Sequence, residues 1–243
     1  MTLTRYSLTD TPFANRTGRG VSVAVVDSGI ATGHPHVGDV AAGTSLVPGV
    51  VDTVDRIGHG TAVASVIREK VPEAEIVPVK VFDRSLVTDA RILADAIRWA
   101  AARGCQLINL SLGTANATHA DRLEEAVRCA SSYGALVVAA LESGHTRWLP
   151  GTIDEVVAVL GDATITRDMI AIEQTPSGPR FHASIYPRPI PGVPPERNLH
   201  GISFAVANVT GMLARHIQDA AVYAPVSSVV ARLLDGRPSP TAP

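Results

Sequence analysis

Three short segments, far apart in the chain, carry side chains that together could perform nucleophilic catalysis. An apolar run at residues 21–26 ends in Asp27, His59 lies between two glycines, and Ser203 is at the centre of Gly-Ile-Ser-Phe-Ala at 201–205. A serine hydroxyl is a poor nucleophile at neutral pH, so a serine hydrolase needs an imidazole as base and usually a carboxylate to orient that imidazole. The three segments supply one group of each kind.

Each of these residues also has a simpler interpretation. Asp27 can be a turn or capping residue, His59 a loop residue, and Ser203 the N-cap of an apolar helix. Singly, each motif is at least as consistent with these roles as with catalysis. Together, in the order acid, imidazole, alcohol, they are more specific, because an α/β-hydrolase has the order Ser, acid, His and a G-x-S-x-G turn. Ser203 instead lies in G-x-S-x-A.

In these motifs and their order the chain resembles the subtilase family. The resemblance extends from about residue 21 to residue 213 and includes Ile-Asn-Leu-Ser-Leu-Gly at 108–113. It implies that Asp27 orients the base, that His59 takes and returns the proton, and that Ser203 forms the acyl-enzyme. It also implies an extended strand that pairs with the substrate backbone. That strand would consist of Ser111, Leu112 and Gly113.

The chain departs from the family pattern at the oxyanion hole. Where subtilases have a motif like A-A-G-N, this sequence has Ala-Ala-Leu-Glu-Ser-Gly at 139–144, so the asparagine is missing. By position Ser143 replaces it. We expect the oxyanion hole to consist of Ser143 and the backbone N–H of Ser203, with His145 as an alternative donor.

The same stretch changes the primary specificity pocket. Leu141 and Glu142 replace small residues that floor this pocket in the family. The resulting hypothesis is a substrate with a small residue before the scissile bond, and a basic residue is the alternative. A preference for large aromatic residues there would contradict it.

The elements around these residues alternate between strand and helix. Apolar runs predict strands at 21–26, 75–82, 107–110, 135–140 and 153–160, and helical periodicity predicts helices at 60–70, 88–103, 117–133 and 204–219. Such alternation predicts a parallel sheet with its site beyond the carboxyl ends of the strands. With the resemblance, it predicts an α/β protein with the subtilisin-like three-layer fold, a mostly parallel central sheet flanked by helices. We expect one peptidase domain over 1–236 and a disordered tail over 237–243.

Composition limits the class of partner and the compartment. A chain of 243 residues can bury one sizeable core, and a net charge of -2 from 21 basic and 23 acidic residues gives no reason to expect nucleic acid or an anionic membrane. Residues 1–13 have no apolar run long enough for a secretion signal, and no stretch reaches the ~20 apolar residues of a membrane span. We therefore expect a cytoplasmic protein.

We expect neither a cofactor nor a metal. Two cysteines, Cys105 and Cys129, are too few for a disulfide framework and are interpreted as buried thiols. His34 and His36, the nearest candidates for metal ligands, are interpreted as part of a surface loop. Scattered acids are interpreted as solvated surface groups rather than calcium ligands. These acids are Asp52, Asp55 and Asp162.

The leading functional hypothesis is limited proteolysis that removes a leader or spacer from a peptide or protein precursor, with an accessory maturation protein as a second expected partner. Similar compact subtilases act in ribosomal-peptide and cofactor maturation, including the leader-cleaving subtilase of quinohemoprotein amine dehydrogenase biogenesis. Two alternatives stay open. One is a general degradative peptidase, and the other is a pseudoprotease that binds an extended peptide without cleaving it.

Overall fold

The chain folds into alternating strands and helices, which the computed structural model describes over residues 3–194, 197–218, 228 and 231–233. The strands are β1 (Leu3–Ser7), β2 (Ser22–Asp27), β3 (Thr44–Ser45), β4 (Glu75–Lys80), β5 (Leu107–Leu110), β6 (Leu136–Ala140), β7 (Glu142–Ser143), β8 (Thr146–Arg147), β9 (Val157–Gly161), β10 (Met169–Thr175) and β11 (Gly178–Ala183). The helices are α1 (His59–Lys70), α2 (Ala90–Ala102), α3 (Ala120–Ser132) and α4 (Ile202–Ile217). The predicted tail over 237–243 lies outside the described residues.

Nine strands form one sheet in the order β1-β10-β11-β9-β6-β5-β2-β4-β3. Neighbouring strands from β11 to β3 run parallel, whereas β10 is antiparallel to both β1 and β11. The predicted α/β fold with a mostly parallel central sheet is therefore confirmed. The antiparallel edge was not predicted, because β1 pairs with a strand more than 160 residues away and neither segment has a clear apolar period.

Helices cover both faces of the sheet and create two separate cores. Val23 and Val25 of β2 belong to a core that includes buried residues of α1 and α4. Ala24 and Val26 point to the opposite face and pack with buried residues of α2 and α3. Successive side chains of a strand alternate between faces, so a strand covered on both sides must be apolar throughout. This explains the continuous apolar run before Asp27.

The topology brings the predicted chemical groups to one edge of the sheet. Asp27 is the last residue of β2, Ser111 directly follows β5, and Ala140 ends β6. These three strands are neighbours in the sheet and run parallel, so their carboxyl ends meet at the same edge. The other two groups lie at the starts of helices: His59 is the first residue of α1, and Ser203 is the second residue of α4. The candidate residues therefore lie at the carboxyl ends of neighbouring parallel strands and at the starts of two helices.

Within the described ranges, no helix combines the length and the apolar character needed to cross a bilayer. Both cysteines are free thiols in this structure, and Cys105 is buried while Cys129 is only partly buried. The same part of the chain contains no group of three His, Cys, Asp or Glu side chains arranged to hold a metal ion.

Candidate active site

His59 and Asp27 form a close pair at the start of α1. His59 Nδ1 lies 2.8 Å from Asp27 Oδ1 and 2.9 Å from Asp27 Oδ2. The Asp27 side chain is fully buried, and its Oδ1 also accepts a hydrogen bond from the Ser28 backbone N–H at 2.7 Å. A buried carboxylate held in this way fixes the orientation of the imidazole.

The electrostatic surroundings favour the protonated imidazole. Burial alone would lower the pKa of His59, but the hydrogen bond and charge of Asp27 and the charge of Asp55 outweigh it, so the pKa is raised above its ordinary value. A base with a raised pKa binds the proton of a nucleophile more readily, which suits general base catalysis near neutral pH.

Asp55 is a structural centre of the site, not a solvated surface acid. Its Oδ1 accepts hydrogen bonds from the Ser28 hydroxyl at 2.8 Å, the Ile57 N–H at 2.9 Å and the Gly58 N–H at 2.8 Å. Its Oδ2 accepts from the N–H and the hydroxyl of Thr61, at 2.9 and 2.6 Å. Burial would raise the pKa of Asp55, but these bonds hold it below its ordinary value. The sequence-based interpretation of Asp55 was wrong.

The reason for this error lies in the tertiary structure. The segment before α1 folds back over the turn that follows Asp27, and the Ile30 N–H donates to the Thr53 carbonyl at 2.9 Å. A local sequence pattern does not show this contact, because the two segments are separated by more than twenty residues.

Ser203 is the second residue of α4 and faces the same cleft as His59. Its hydroxyl donates to the Ser111 carbonyl at 3.2 Å, and the Ser111 hydroxyl donates to the Ser203 carbonyl at 3.3 Å. Phe204, the next residue of α4, has its ring centroid 6.0 Å from that of His59. The imidazole and the alcohol therefore line the same cleft, and in this structure the hydroxyl donates to the backbone carbonyl of Ser111.

The cleft next to Ser203 has a volume of about 390 Å³. The predicted substrate-binding residues Ser111, Leu112 and Gly113 all line it. Gly113 must be glycine, because a Cβ at this position would lie 2.7 Å from the Leu149 carbonyl oxygen. Several further lining residues were not found by sequence reasoning. They are Phe82, Leu86, Val87, Thr88, Ala140, Trp148, Ile202 and Val206.

A sequence signal existed for only part of this lining. Ile202 and Val206 lie on α4 at helical spacing around the nucleophile candidate, and that spacing was available in the sequence. Trp148 and the segment 86–88 come from loops without a motif. Their position depends on long-range packing.

The remaining predicted site residues lie in a hairpin beyond β6. Glu142 and Ser143 form β7, which pairs with β8, and Ser143 is exposed. Within the described residues, the cleft lining does not include Leu141, Glu142 or Ser143, and Leu141 instead lines a separate cavity of about 490 Å³.

Comparisons with known proteins identify the family of this chain. The model of the subtilase family matches residues 18–161. Subtilisin Savinase from Lederbergia lenta is 34% identical over 216 residues, which cover 84% of this chain and 76% of Savinase.

Two solved structures are similar in fold. A cold adapted subtilisin-like serine proteinase has a TM-score of 0.72 and 22% identity, over 89% of this chain and 82% of that chain. The nisin leader peptidase NisP from Lactococcus lactis has a TM-score of 0.60 and 20% identity, over 84% of this chain and 79% of that chain.

A three-layer α/β fold with an aspartate-paired imidazole and a serine in one cleft is the arrangement of a subtilisin-like serine peptidase. This chain belongs to the subtilase family, as its match to the family model and its identity with Savinase show.

Proposed function

We propose that Asp27, His59 and Ser203 are the catalytic triad of a serine endopeptidase. The observation that carries this proposal is the contact of His59 Nδ1 with both Asp27 carboxylate oxygens, at 2.8 and 2.9 Å, in the cleft that Ser203 shares. The contact favours the tautomer with hydrogen on Nδ1, so Nε2 can accept a proton. Rotation of the Ser203 side chain about Cα–Cβ, between staggered rotamers, turns its hydroxyl from the Ser111 carbonyl toward the imidazole.

In the proposed reaction, Ser203 Oγ attacks the carbonyl carbon of a peptide bond while His59 Nε2 takes the hydroxyl proton. His59 then donates this proton to the leaving amine, and an acyl-enzyme ester is formed. Water attacks the ester with His59 again as base, and release of the new carboxyl group restores the free serine. Asp27 stabilises the imidazolium at both stages.

Two donors are proposed for the oxyanion. The Ser203 N–H lies in the first turn of α4, where backbone amides lack intrahelical partners and the helix dipole is positive. The Ser143 hydroxyl is the proposed second donor. It is exposed in the hairpin beyond β6, so its side chain must turn toward bound substrate.

The proposed substrate is an extended segment of a peptide or protein precursor, from which the enzyme removes a leader. Ser111, Leu112 and Gly113 follow β5 along the cleft and offer backbone groups for pairing with such a segment. Leu86 and Val87 at the cleft are 53% and 78% exposed, which suits apolar substrate side chains. The fold likeness to a nisin leader peptidase supports leader removal. The cytoplasmic location and an accessory partner stay predictions.

The direct test is labelling by a fluorophosphonate probe, which reacts with activated serines. We expect the wild-type chain to be labelled and Ser203→Ala to be unlabelled, because only the alcohol of residue 203 is activated by His59. Ser111→Ala, which removes another hydroxyl from the same cleft, is the matched control and should still be labelled.

Cleavage of precursor proteins encoded near the gene tests the finer proposal. A single cut between leader and core, absent with Ser203→Ala, supports limited proteolysis, whereas many cuts in unrelated unfolded proteins indicate a degradative peptidase. If the wild-type chain binds precursor but neither cleaves it nor reacts with the probe, the triad proposal is wrong and a pseudoprotease remains.

A further inference from the structure

Trp148 is the aromatic side chain of the cleft wall that comes from the loop after β8. It lines the cleft together with Ala140, Ile202 and Ser203. The indole also packs against the core that contains residues of α1 and α4. Its Nε1 is shielded from solvent and has no hydrogen-bond partner within the described part of the chain. The ring is therefore packed into the wall and does not lie over the cleft as a mobile cover.

The backbone of Trp148 is anchored on both sides. Its N–H donates to the Leu141 carbonyl at 2.9 Å, and the next residue, Leu149, exchanges two hydrogen bonds with Thr114, at 2.9 and 3.0 Å. These bonds tie the loop to the end of β6 and to the segment after β5. The indole cannot leave the cleft wall without breaking this backbone pairing or leaving its rotamer.

Trp148 and the proposed nucleophile flank the same short stretch of chain. The Ser203 hydroxyl contacts the Ser111 carbonyl, while a Cβ on Gly113 would lie 3.2 Å from Trp148 Cβ. Ser111 and Gly113 are two positions apart, which is about 7 Å in extended backbone. A substrate residue whose carbonyl carbon meets Ser203 therefore places its side chain near the indole.

We propose that Trp148 determines specificity by filling the space next to Ser203, so that the substrate residue before the scissile bond is glycine or alanine. This inference rests on the proposed function of Ser203 and names the substrate class of that site. A larger side chain would overlap an anchored and closely packed ring.

The structure does not favour a basic residue at this substrate position. Such a residue would require an acid in the pocket, but among the described residues the cleft lining contains no Glu142. Glu142 lies opposite Arg147 in the β7–β8 pair, so its nearest cross-strand neighbour already carries the opposite charge.

Two peptidyl phosphonate probes test the proposal. They share one peptide and carry either alanine or phenylalanine at the position whose carbonyl is replaced by the reactive phosphorus. We expect the alanine probe to label the wild-type serine at least about tenfold faster, as expected for a steric pocket. In Trp148→Ala, the rate with the phenylalanine probe should rise at least about tenfold, because the removed indole leaves room for the phenyl ring. Labelling at Ser203 is measured by intact mass and peptide mapping.

Trp99→Phe is the matched control, since Trp99 lies on α2, outside the cleft lining, and it should keep the wild-type ratio of rates. Trp148→Leu, which keeps apolar bulk, replaces Trp148→Ala if the latter does not fold. The proposal is overturned if the phenylalanine probe labels the wild type as fast as the alanine probe, or if the folded Trp148 variants keep the wild-type ratio. If neither probe labels the wild type at Ser203, the proposed function fails as well, and this outcome is distinct from a changed ratio.

Discussion

At the scale of single residues, the His59–Asp27 pair is held by polar side chains from two other segments. Asp55 ties the Ser28 hydroxyl to the first turn of α1 through the five hydrogen bonds described above. Lys80, fully buried in β4, donates from Nζ to the carbonyls of Ser28 and Val54, at 2.8 Å in each case. The hydrogen bonds of Asp55 and Lys80 hold the loops next to Asp27 and His59, so they limit the movement of this pair before substrate binds.

Asp55→Asn should change the pH dependence of catalysis as well as its rate. The base must be neutral, so kcat/KM rises as pH passes through the pKa of His59, which Asp27 and Asp55 hold above its ordinary value of 6.5. Removal of one negative charge lowers this pKa, and the acidic limb should move to lower pH. The plateau of kcat/KM should fall about tenfold, because an amide accepts fewer of the five hydrogen bonds. The measurement is a pH profile with one peptide substrate.

Asp52→Asn is the control for this experiment. Asp52 belongs to the same loop but forms a surface ion pair with Arg56, so its variant should keep both the plateau and the limb. If Asp55→Asn lowered the plateau of kcat/KM and left the acidic limb at its wild-type pH, Asp55 would only stabilise the loop and would not affect the charge state of His59.

At the scale of elements, the hairpin β7–β8 carries Ser143, the residue that the resemblance to the family implies at the position of the oxyanion asparagine. Its turn contains Gly144 with φ of 61°, a left-handed conformation that favours glycine. The hairpin exposes Ser143 and His145. Both side chains can donate a hydrogen bond to substrate.

Ser143→Ala should lower kcat about 10- to 100-fold and leave KM nearly unchanged, because an oxyanion donor acts mainly in the transition state. Steady-state kinetics on one cleaved peptide measure this split. His145→Ala is the matched variant in the same turn and should have wild-type kcat. The assignment is contradicted if His145→Ala carries the loss and Ser143→Ala is neutral.

The sequence predicted these elements well where the pattern is local and poorly where it is not. The central strands were predicted because burial on both faces makes each of them an apolar run, and α1 and α2 differ from their predicted bounds by at most two residues. β1 and β10 were missed because their pairing, such as Tyr6 with Ile170, joins distant segments. The role of Asp55 was missed for the same reason.

At the scale of the whole molecule, α1 and α4 are packed together around a buried lysine. Lys70 at the end of α1 has 1% of its side chain exposed. Gly211 of α4 leaves room for it, since a Cβ there would lie 2.7 Å from Lys70 Cδ. Arg215 donates to the Lys70 carbonyl at 2.6 Å and to the Phe13 carbonyl at 3.1 Å. This packing joins the N-terminal segment, α1 and α4 behind the site.

Burial at this position makes stability depend on pH. Burial of the ammonium group, helped by the charges of Arg215 and Arg188 and opposed by Asp168, lowers the pKa of Lys70 from 10.5 to about 7. Between these values the unfolded chain binds more protons, so the contribution of Lys70 to the free energy of unfolding rises with pH, by at most about 1.4 kcal/mol per pH unit.

Lys70→Met, which keeps the apolar stem, should therefore be more stable than the wild type at pH 6.5, and the difference should shrink by about 2 kcal/mol between pH 7 and pH 9. Urea unfolding of both proteins at several pH values measures this. Glu73→Gln, at an exposed position just after α1, is a surface control. Its free energy of unfolding should change with pH in parallel with that of the wild type over this range. If the free energies of unfolding of Lys70→Met and the wild type changed with pH in parallel, the lysine would not be held in its buried position with a lowered pKa.

Local sequence was sufficient for the family, the strand and helix alternation, and the three groups proposed as the triad. Each of these depends on a residue and its immediate neighbours, such as the apolar strand before Asp27 or the glycines around His59. Three-dimensional packing was needed to place Trp148 in the cleft, to bring Asp55 into hydrogen-bond contact with the turn after β2, and to direct the Ser203 hydroxyl to Ser111. These features arise from contacts between segments that are distant in the chain, and the free energy of such contacts depends on distances and burial that no local pattern records.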